Sequence, residues 1–203
     1  MATDLAGSRC RELDVADPVA CRAAFEGVDA VVHLAGVPDP EAPWDDLLPS
    51  NVVGVHSVAE AAVAAGVRRL VLASSLQAVS AYPADLQVRA DDAPRPANLY
   101  GATKAWAEAV GSWVAATSSV EVVALRIGYF ADRPPATPPD TPRDVAAWLS
   151  PADAAELVRA AVEGPVDGFA VVNGVSANRY RKARYGPPEE SLGYRPSGDA
   201  WAG

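Results

Sequence analysis

Tyr100 and Lys104 stand four residues apart in the run Asn98-Leu99-Tyr100-Gly101-Ala102-Thr103-Lys104, which opens an alanine-rich stretch reaching about Thr117. On a helix that spacing puts both side chains on one face, a turn apart. An ammonium beside a phenol favours the phenolate. It draws a pKa of ~10 down toward the range where tyrosine exchanges protons at neutral pH. The spacing therefore predicts a general acid/base pair. Alone the pattern is weak, because two exposed residues at helical spacing satisfy it equally. Its weight comes from its neighbours: an apolar strand ending in Ser74-Ser75 upstream, and another leading to Arg126-Ile127-Gly128 downstream.

The elements that must position this pair alternate between strand and helix. Residues 11–15 read as a short strand, followed by Asp17-Pro18, a helix-start signal with proline in the first turn, and a helical period from Val19 to Phe25 that Gly27 ends. Residues 28–36 read as a buried parallel strand running into a glycine turn. The proline-rich residues 37–48 read as a loop, and Ser50-Asn51 open a helix that Gly66 closes. Residues 68–75 form the next strand. Residues 76–97 form a long loop, a length usual for functional segments, and the Tyr100 helix follows. Residues 120–126 are a strand, and residues 131–142 a proline-dense excursion. Ser150-Pro151-Ala152-Asp153 cap a helix to about Glu163, and residues 169–173 are a last strand. The remainder, rich in Gly, Pro, Arg and Tyr, reads as loosely structured. This order implies a parallel sheet with right-handed crossovers, in one domain over 1–203 with substrate-side elements in 76–97, 129–163 and 173–203.

Composition narrows the function class. Half of the 203 residues are hydrophobic and the net charge is -9, which argues against nucleic acid and anionic membrane surfaces. Local arginines still decide whether an anionic ligand binds. Cys10 and Cys21 have neither metal-ligand spacing nor a disulfide framework. No continuous apolar run reaches the ~18–20 residues of a spanning helix and the start carries no signal-peptide pattern, so a cytoplasmic protein is expected. The Asp45-Asp46 and Asp91-Asp92 pairs read as solvated loop charges, with no metal site expected. His33 reads as a satisfied core histidine, Arg126 as a structural tie to loop carbonyls, and Trp44, Trp106 and Trp113 as packing residues.

Taken together, Asp14-Val15, His33-Leu34-Ala35-Gly36, Asn51, Ser74-Ser75, Tyr100-x-x-x-Lys104 and Arg126-Ile127-Gly128 resemble the extended short-chain dehydrogenase/reductases, the NAD-dependent epimerase/dehydratase family. The likeness is to its uronate dehydrogenase branch. It rests on Arg95-Pro96, Leu99-Tyr100-Gly101, Arg143 followed by Ala147-Trp148-Leu149-Ser150, Ser176-Ala177-Asn178, and Leu192-Gly193-Tyr194-Arg195-Pro196. The resemblance implies a Rossmann-type doubly wound α/β sheet and hydride transfer from C1 of a sugar acid to NAD. Tyr100 would take the hydroxyl proton, Lys104 would lower its pKa and hold the cofactor's ribose, and Ser75 would orient the reacting oxygen. Asp4, Asp14 and Val15 would meet the adenosine, and Leu34, Ala35, Gly36 and Asn51 would line the cofactor. Arg143 would fork a substrate carboxylate.

The family pattern is also broken in places. The opening strand and glycine-rich turn that hold a pyrophosphate are missing, so the expected sheet lacks its first strand, glycine-rich loop and first helix. Leu76 and Gln77 follow Ser75 where the branch carries Asn-His against substrate, and Tyr129 replaces a substrate-contacting serine. Two alternatives stand beside the dehydrogenase reading: a redox-inactive relative acting as a binding or partner protein, and a cofactor-independent Tyr/Lys isomerase or lyase. A homo-oligomer, or a partner covering the exposed sheet edge, is expected because unpaired edges and apolar faces favour aggregation.

Overall fold

The computed structural model describes residues 12–135 and 142–202. Asp4 and Cys10 lie outside the described residues, as does half of the expected excursion at 131–142.

Asp17 accepts from the backbone N–H groups of Val19 and Ala20 and starts α1 (Pro18–Phe25), with proline where no N–H is needed. After β1 (Ala30–His33) one helical run comprises α2 (Trp44–Leu47), a π-helical segment (Leu48–Gly54) and α3 (Val55–Ala65). Gly66, at φ +64°, ends α3 in the left-handed conformation that glycine adopts freely. Next come β2 (Arg69–Ser75), a 3₁₀ turn (Leu76–Val79) and α4 (Leu99–Thr117), which Asn98 caps by accepting from the Gly101 N–H. β3 (Glu121–Ile127) and the two-residue β4 (Tyr129–Phe130) precede α5 (Pro142–Ala146), β5 (Trp148–Leu149) and α6 (Pro151–Glu163). Ser150 caps α6, with Pro151 and Asp153 at the expected positions. β6 (Phe169–Gly174) and α7 (Pro187–Leu192) complete the order.

β1, β2, β3 and β6 pair in that order, all parallel, and β4 and β5 form a second small parallel pair. Successive side chains of a strand point to opposite faces. Leu70 and Leu72 accordingly pack with α1, α3 and α4, whereas Val71, Val123 and Leu125 pack with α6 and α7. Helices on both faces make the sheet a doubly wound Rossmann-type layer, and parallel pairing brings the carboxyl ends of its strands to one edge. Gly111 lets α4 lie against β3, since a Cβ there would come 3.0 Å from Phe169 and 3.1 Å from Leu72 and Val122.

Several expectations change. Residues 12–14 are irregular and Val15-Ala16 turn, so the expected strand at 11–15 does not form among the described residues. The Asp14 carboxylate instead caps its own turn at the Ala16 N–H (2.9 Å), and no described strand lies beside it to share a ladder. The strand within 28–36 is short, Ala30–His33, and alternates: Val31 packs in the core, whereas Val32 and the following Leu34 point to the other face and are exposed. Helix begins at Trp44, before Asn51, because Pro49 falls early in the π segment where its missing N–H does no harm. The 22-residue helical run Trp44–Ala65 is long and apolar enough to span a membrane, yet half of its apolar window is buried against the core. The tail is better ordered than its composition predicts: α7 forms, and Leu192 and Tyr194 are buried.

Candidate active site

Tyr100 and Lys104 come from the first turns of α4, Ser75 from the carboxyl end of β2, and Arg143 from α5. All four line one cavity of about 1130 Å³ beyond the carboxyl ends of the strands. Leu34, Gly36, Leu76, Gln77 and Tyr129 line it as well, so most of the expected site residues converge. Gly101 is what allows α4 to approach: a Cβ there would stand 2.3 Å from the Gln77 carbonyl oxygen. The catalytic helix is thereby seated on the turn that carries Leu76 and Gln77. Ser75 fixes that turn, its Oγ accepting from the Gln77 N–H at 3.1 Å.

The electrostatics differ from the expectation at one point. Burial is the first influence on the Tyr100 phenol and raises its pKa, and a hydrogen bond with Ser75 pulls it part of the way back. Lys104 Nζ is 5.5 Å from the Tyr100 ring centroid and donates to the Ala73 carbonyl at 3.0 Å. Burial brings the Lys104 ammonium down to about 8. The pair is thus a shielded phenol beside a buried cation, and the phenol's hydrogen-bond partner is Ser75.

Behind the pair runs a polar stripe. Glu108, one further turn along α4, is buried; it accepts from Ser74 Oγ (2.6 Å) and from Arg126 Nε and Nη2 (2.8 Å each). Arg126 also donates to the carbonyls of Arg89, Ala90 and Asp92, which fits its expected role as a tie to the loop. Glu108 had a signal in the sequence, the four-residue spacing continued from Tyr100 through Lys104. Lys182 also lines the cavity. Its only signal was a basic cluster, Arg179 to Arg184, in an acidic chain.

Other expected site residues serve elsewhere. Asn51 is buried away from the cavity lining and clamps the loop after β1: its Oδ1 accepts from the Val37 N–H (2.8 Å) and its Nδ2 donates to the Val37 carbonyl (3.0 Å) and to Thr103 Oγ1 (3.3 Å). It thereby ties that loop to α4. Ala35 packs against the core, Val15 is buried within it, and Asp14 is exposed. His33 is buried and held neutral, its pKa lowered to about 4 by burial first and then by Lys104. Its Nε2 has no hydrogen-bond partner among the described residues, so it is a core histidine but not a satisfied one.

Residues 2–168 match the family model described as the NAD dependent epimerase/dehydratase family. The chain belongs to that family. It is 36% identical over 195 residues to a NAD-dependent glucose-6-phosphate dehydrogenase of Haloferax volcanii, covering 90% of this chain and 73% of that protein. An L-arabinose 1-dehydrogenase (NAD(P)(+)) of the same organism is 38% identical over 203 residues, covering 91% and 80%. Among solved structures, a uronate dehydrogenase variant from Agrobacterium tumefaciens complexed with NAD superposes with a TM-score of 0.86 at 31% identity, covering 100% of this chain and 74% of that one. These relatives are named as dehydrogenases of glucose 6-phosphate, L-arabinose and uronate, oxidoreductases of sugars and sugar acids.

Proposed function

We propose that this chain is an NAD-dependent dehydrogenase of a sugar or sugar acid, oxidising the C1 hydroxyl of the cyclic sugar to a lactone. The observation that carries the reading is the convergence of Ser75, Tyr100 and Lys104 in the lining of one cavity that also includes Arg143. Two features suit a dinucleotide. Lys104 spends one N–H on Ala73, leaving two for ribose hydroxyls. Gly36 keeps the wall flush, since a Cβ there would sit 2.9 Å from Asn51 Oδ1 and 3.7 Å from Lys104 Nζ. Leu34 would offer an apolar surface and Lys104 the ribose contacts, whereas Val15, buried in the core, and Asp14, which caps its own turn, do not fit the adenosine role. NAD, when bound, supplies the hydride acceptor.

The chain's own work is proton handling and orientation. Ser75 would donate to the substrate's C1 oxygen and keep it against Tyr100. Tyr100, entering as the phenolate that the Lys104 ammonium stabilises, would accept the C1 hydroxyl proton as the substrate's C1–H bond breaks and so become the neutral phenol. Arg143 would fork a carboxylate or phosphate on the far side of the sugar, with Leu76, Gln77 and Tyr129 shaping the wall between. The protein is further proposed to act as a homo-oligomer.

Titration calorimetry with NAD, followed by NADH absorbance with galacturonate, glucose 6-phosphate and arabinose, tests the reading. Micromolar NAD binding and turnover of one of these sugars are expected. Tyr100→Phe should lower turnover by about 10²–10⁴ with an unchanged melting temperature, because only the proton-transferring hydroxyl is lost. A folded wild-type protein that does not bind NAD would move the assignment to cofactor-free chemistry or to a binding role.

A further inference from the structure

Lys182 takes no part in the proton handling above, yet it is only 6% exposed and lines the same cavity as Arg143. Its Nζ donates to the carbonyls of Pro83 (2.9 Å), Ala84 (3.2 Å) and Leu86 (2.8 Å). An ammonium has three N–H groups, and all three are committed to one loop. Its backbone holds two further walls: the N–H donates to the Ala146 carbonyl (2.9 Å), and its own carbonyl accepts from Val88 (3.0 Å). Gln87 Nε2 donates to the Arg181 carbonyl (2.9 Å), and the Arg184 N–H to that of Val88 (2.8 Å). One residue thereby joins the 83–88 loop, the end of α5 and the 181–184 segment. Arg143 is tied to the base of the same loop, Nη2 reaching the Ser80 carbonyl at 3.4 Å.

The choice of a lysine at this junction needs a reason. Burial of an ammonium is costly, and among the described contacts carbonyls rather than a carboxylate surround it. Burial and then the Arg143 charge depress its pKa, and Asp85 opposes them weakly. Asp144 lines the cavity too, beside Arg143. Two cations that share one end of a cavity repel each other, and an anion seated there removes the repulsion. We infer that Lys182 is a positioning and specificity-determining residue: it holds the 83–88 loop over the Arg143 end of the cavity and adds charge there, so that the site selects a sugar bearing a carboxylate or a phosphate over a neutral one. The inference rests on the proposed reading of the cavity as the sugar site.

Binding is the test, since it requires no turnover. Galacturonate, glucose 6-phosphate and galactose are titrated by calorimetry into the wild-type protein, Lys182→Met and Lys182→Arg. In the Met variant both anions should weaken about tenfold and galactose should not change, while the Arg variant recovers most of the loss. The larger loss identifies the anion, phosphate or carboxylate, for which the site is built. If the Met variant does not fold, Lys182→Gln, which keeps donors and drops the charge, carries the same comparison. Equal losses for galactose and the anions, no loss for either anion, or a wild-type protein that binds neither anion would each overturn the inference. A wild-type protein that binds the anions but passes no hydride to NAD would overturn the dehydrogenase reading and leave the role of Lys182 standing.

Discussion

Lys104 carries the most readable single-residue consequence of this site. Its ammonium titrates at about 8 in the folded chain against an ordinary 10.5, because α4 buries it beside Tyr100. Below about pH 8 both folded and unfolded chains hold the proton, and folding bears the full cost of burying the charge. Between the two values the unfolded chain keeps a proton that the folded chain has shed, so stability rises with pH in that window. The unfolding free energy from urea titrations should therefore climb from about pH 8 to about pH 10 with a Lys104 contribution on the order of 2 kcal/mol, and Lys104→Met should rise distinctly less over the same range. Parallel slopes for the two proteins would mean that the ammonium is not shielded as described. The Tyr100–Lys104 spacing was legible in the sequence because helical period alone puts the two on one face. The direction of the phenol's shift was not. It depends on how deeply Val37, Ala42 and Leu47, together with the 76–79 turn, bury Tyr100, which no local pattern carries.

Elements decide where these residues end up, and the α4–β3 junction is the clearest case. Glu108 and Arg126 form a buried bidentate pair that also anchors Ser74 and the 89–92 loop. Removing one partner leaves the other charge buried and unpaired, so Glu108→Ala should cost about 3–5 kcal/mol in denaturant unfolding. Glu108→Leu combined with Arg126→Met should be distinctly less costly, since no orphan charge remains; a loss under about 1 kcal/mol for the single variant would count against the pairing. The sequence announced α1 and α6 through cap residues, α4 through its alanine-rich helical stretch, and β2, β3 and β6 through short apolar runs of strand length. It hid the helical run Trp44–Ala65 because Pro49 and Asn51 look like a breaker and a cap, while the chain uses the first in a π segment and the second as a clamp. β4 and β5 are two residues each and exist only because α5 brings Trp148 beside Tyr129, a long-range pairing with no local signature.

At the scale of the whole molecule, the outward face of α4 is the feature that the active site does not explain. The helix has two charged residues, Lys104 and Glu108, and both point inward. Its outer side presents Leu99, Trp106 and Trp113, the two indoles 40% and 45% exposed, with small residues between them. His56 of the neighbouring α3 stacks on Trp113 at 6.4 Å with 7° between the planes, which extends the patch across both helices. On a chain of net charge -9 an uncharged stripe is where two copies approach against the least repulsion, and a two-fold contact needs one self-complementary surface. A second copy seated on α4 would bury indole surface on the order of 100 Å² per ring, and central aromatic anchors contribute most to such contacts. Light scattering on the purified protein should accordingly give twice the monomer mass, and Trp106→Glu combined with Trp113→Glu should give the monomer, because each face would then bring two carboxylates against two more. An unchanged mass in that variant would place the contact elsewhere. The edge of β1, beside which Val32 is exposed, is the other candidate surface. The two surfaces separate by experiment: glutamates on α4 leave the β1 edge untouched, so an oligomer built on that edge would survive them.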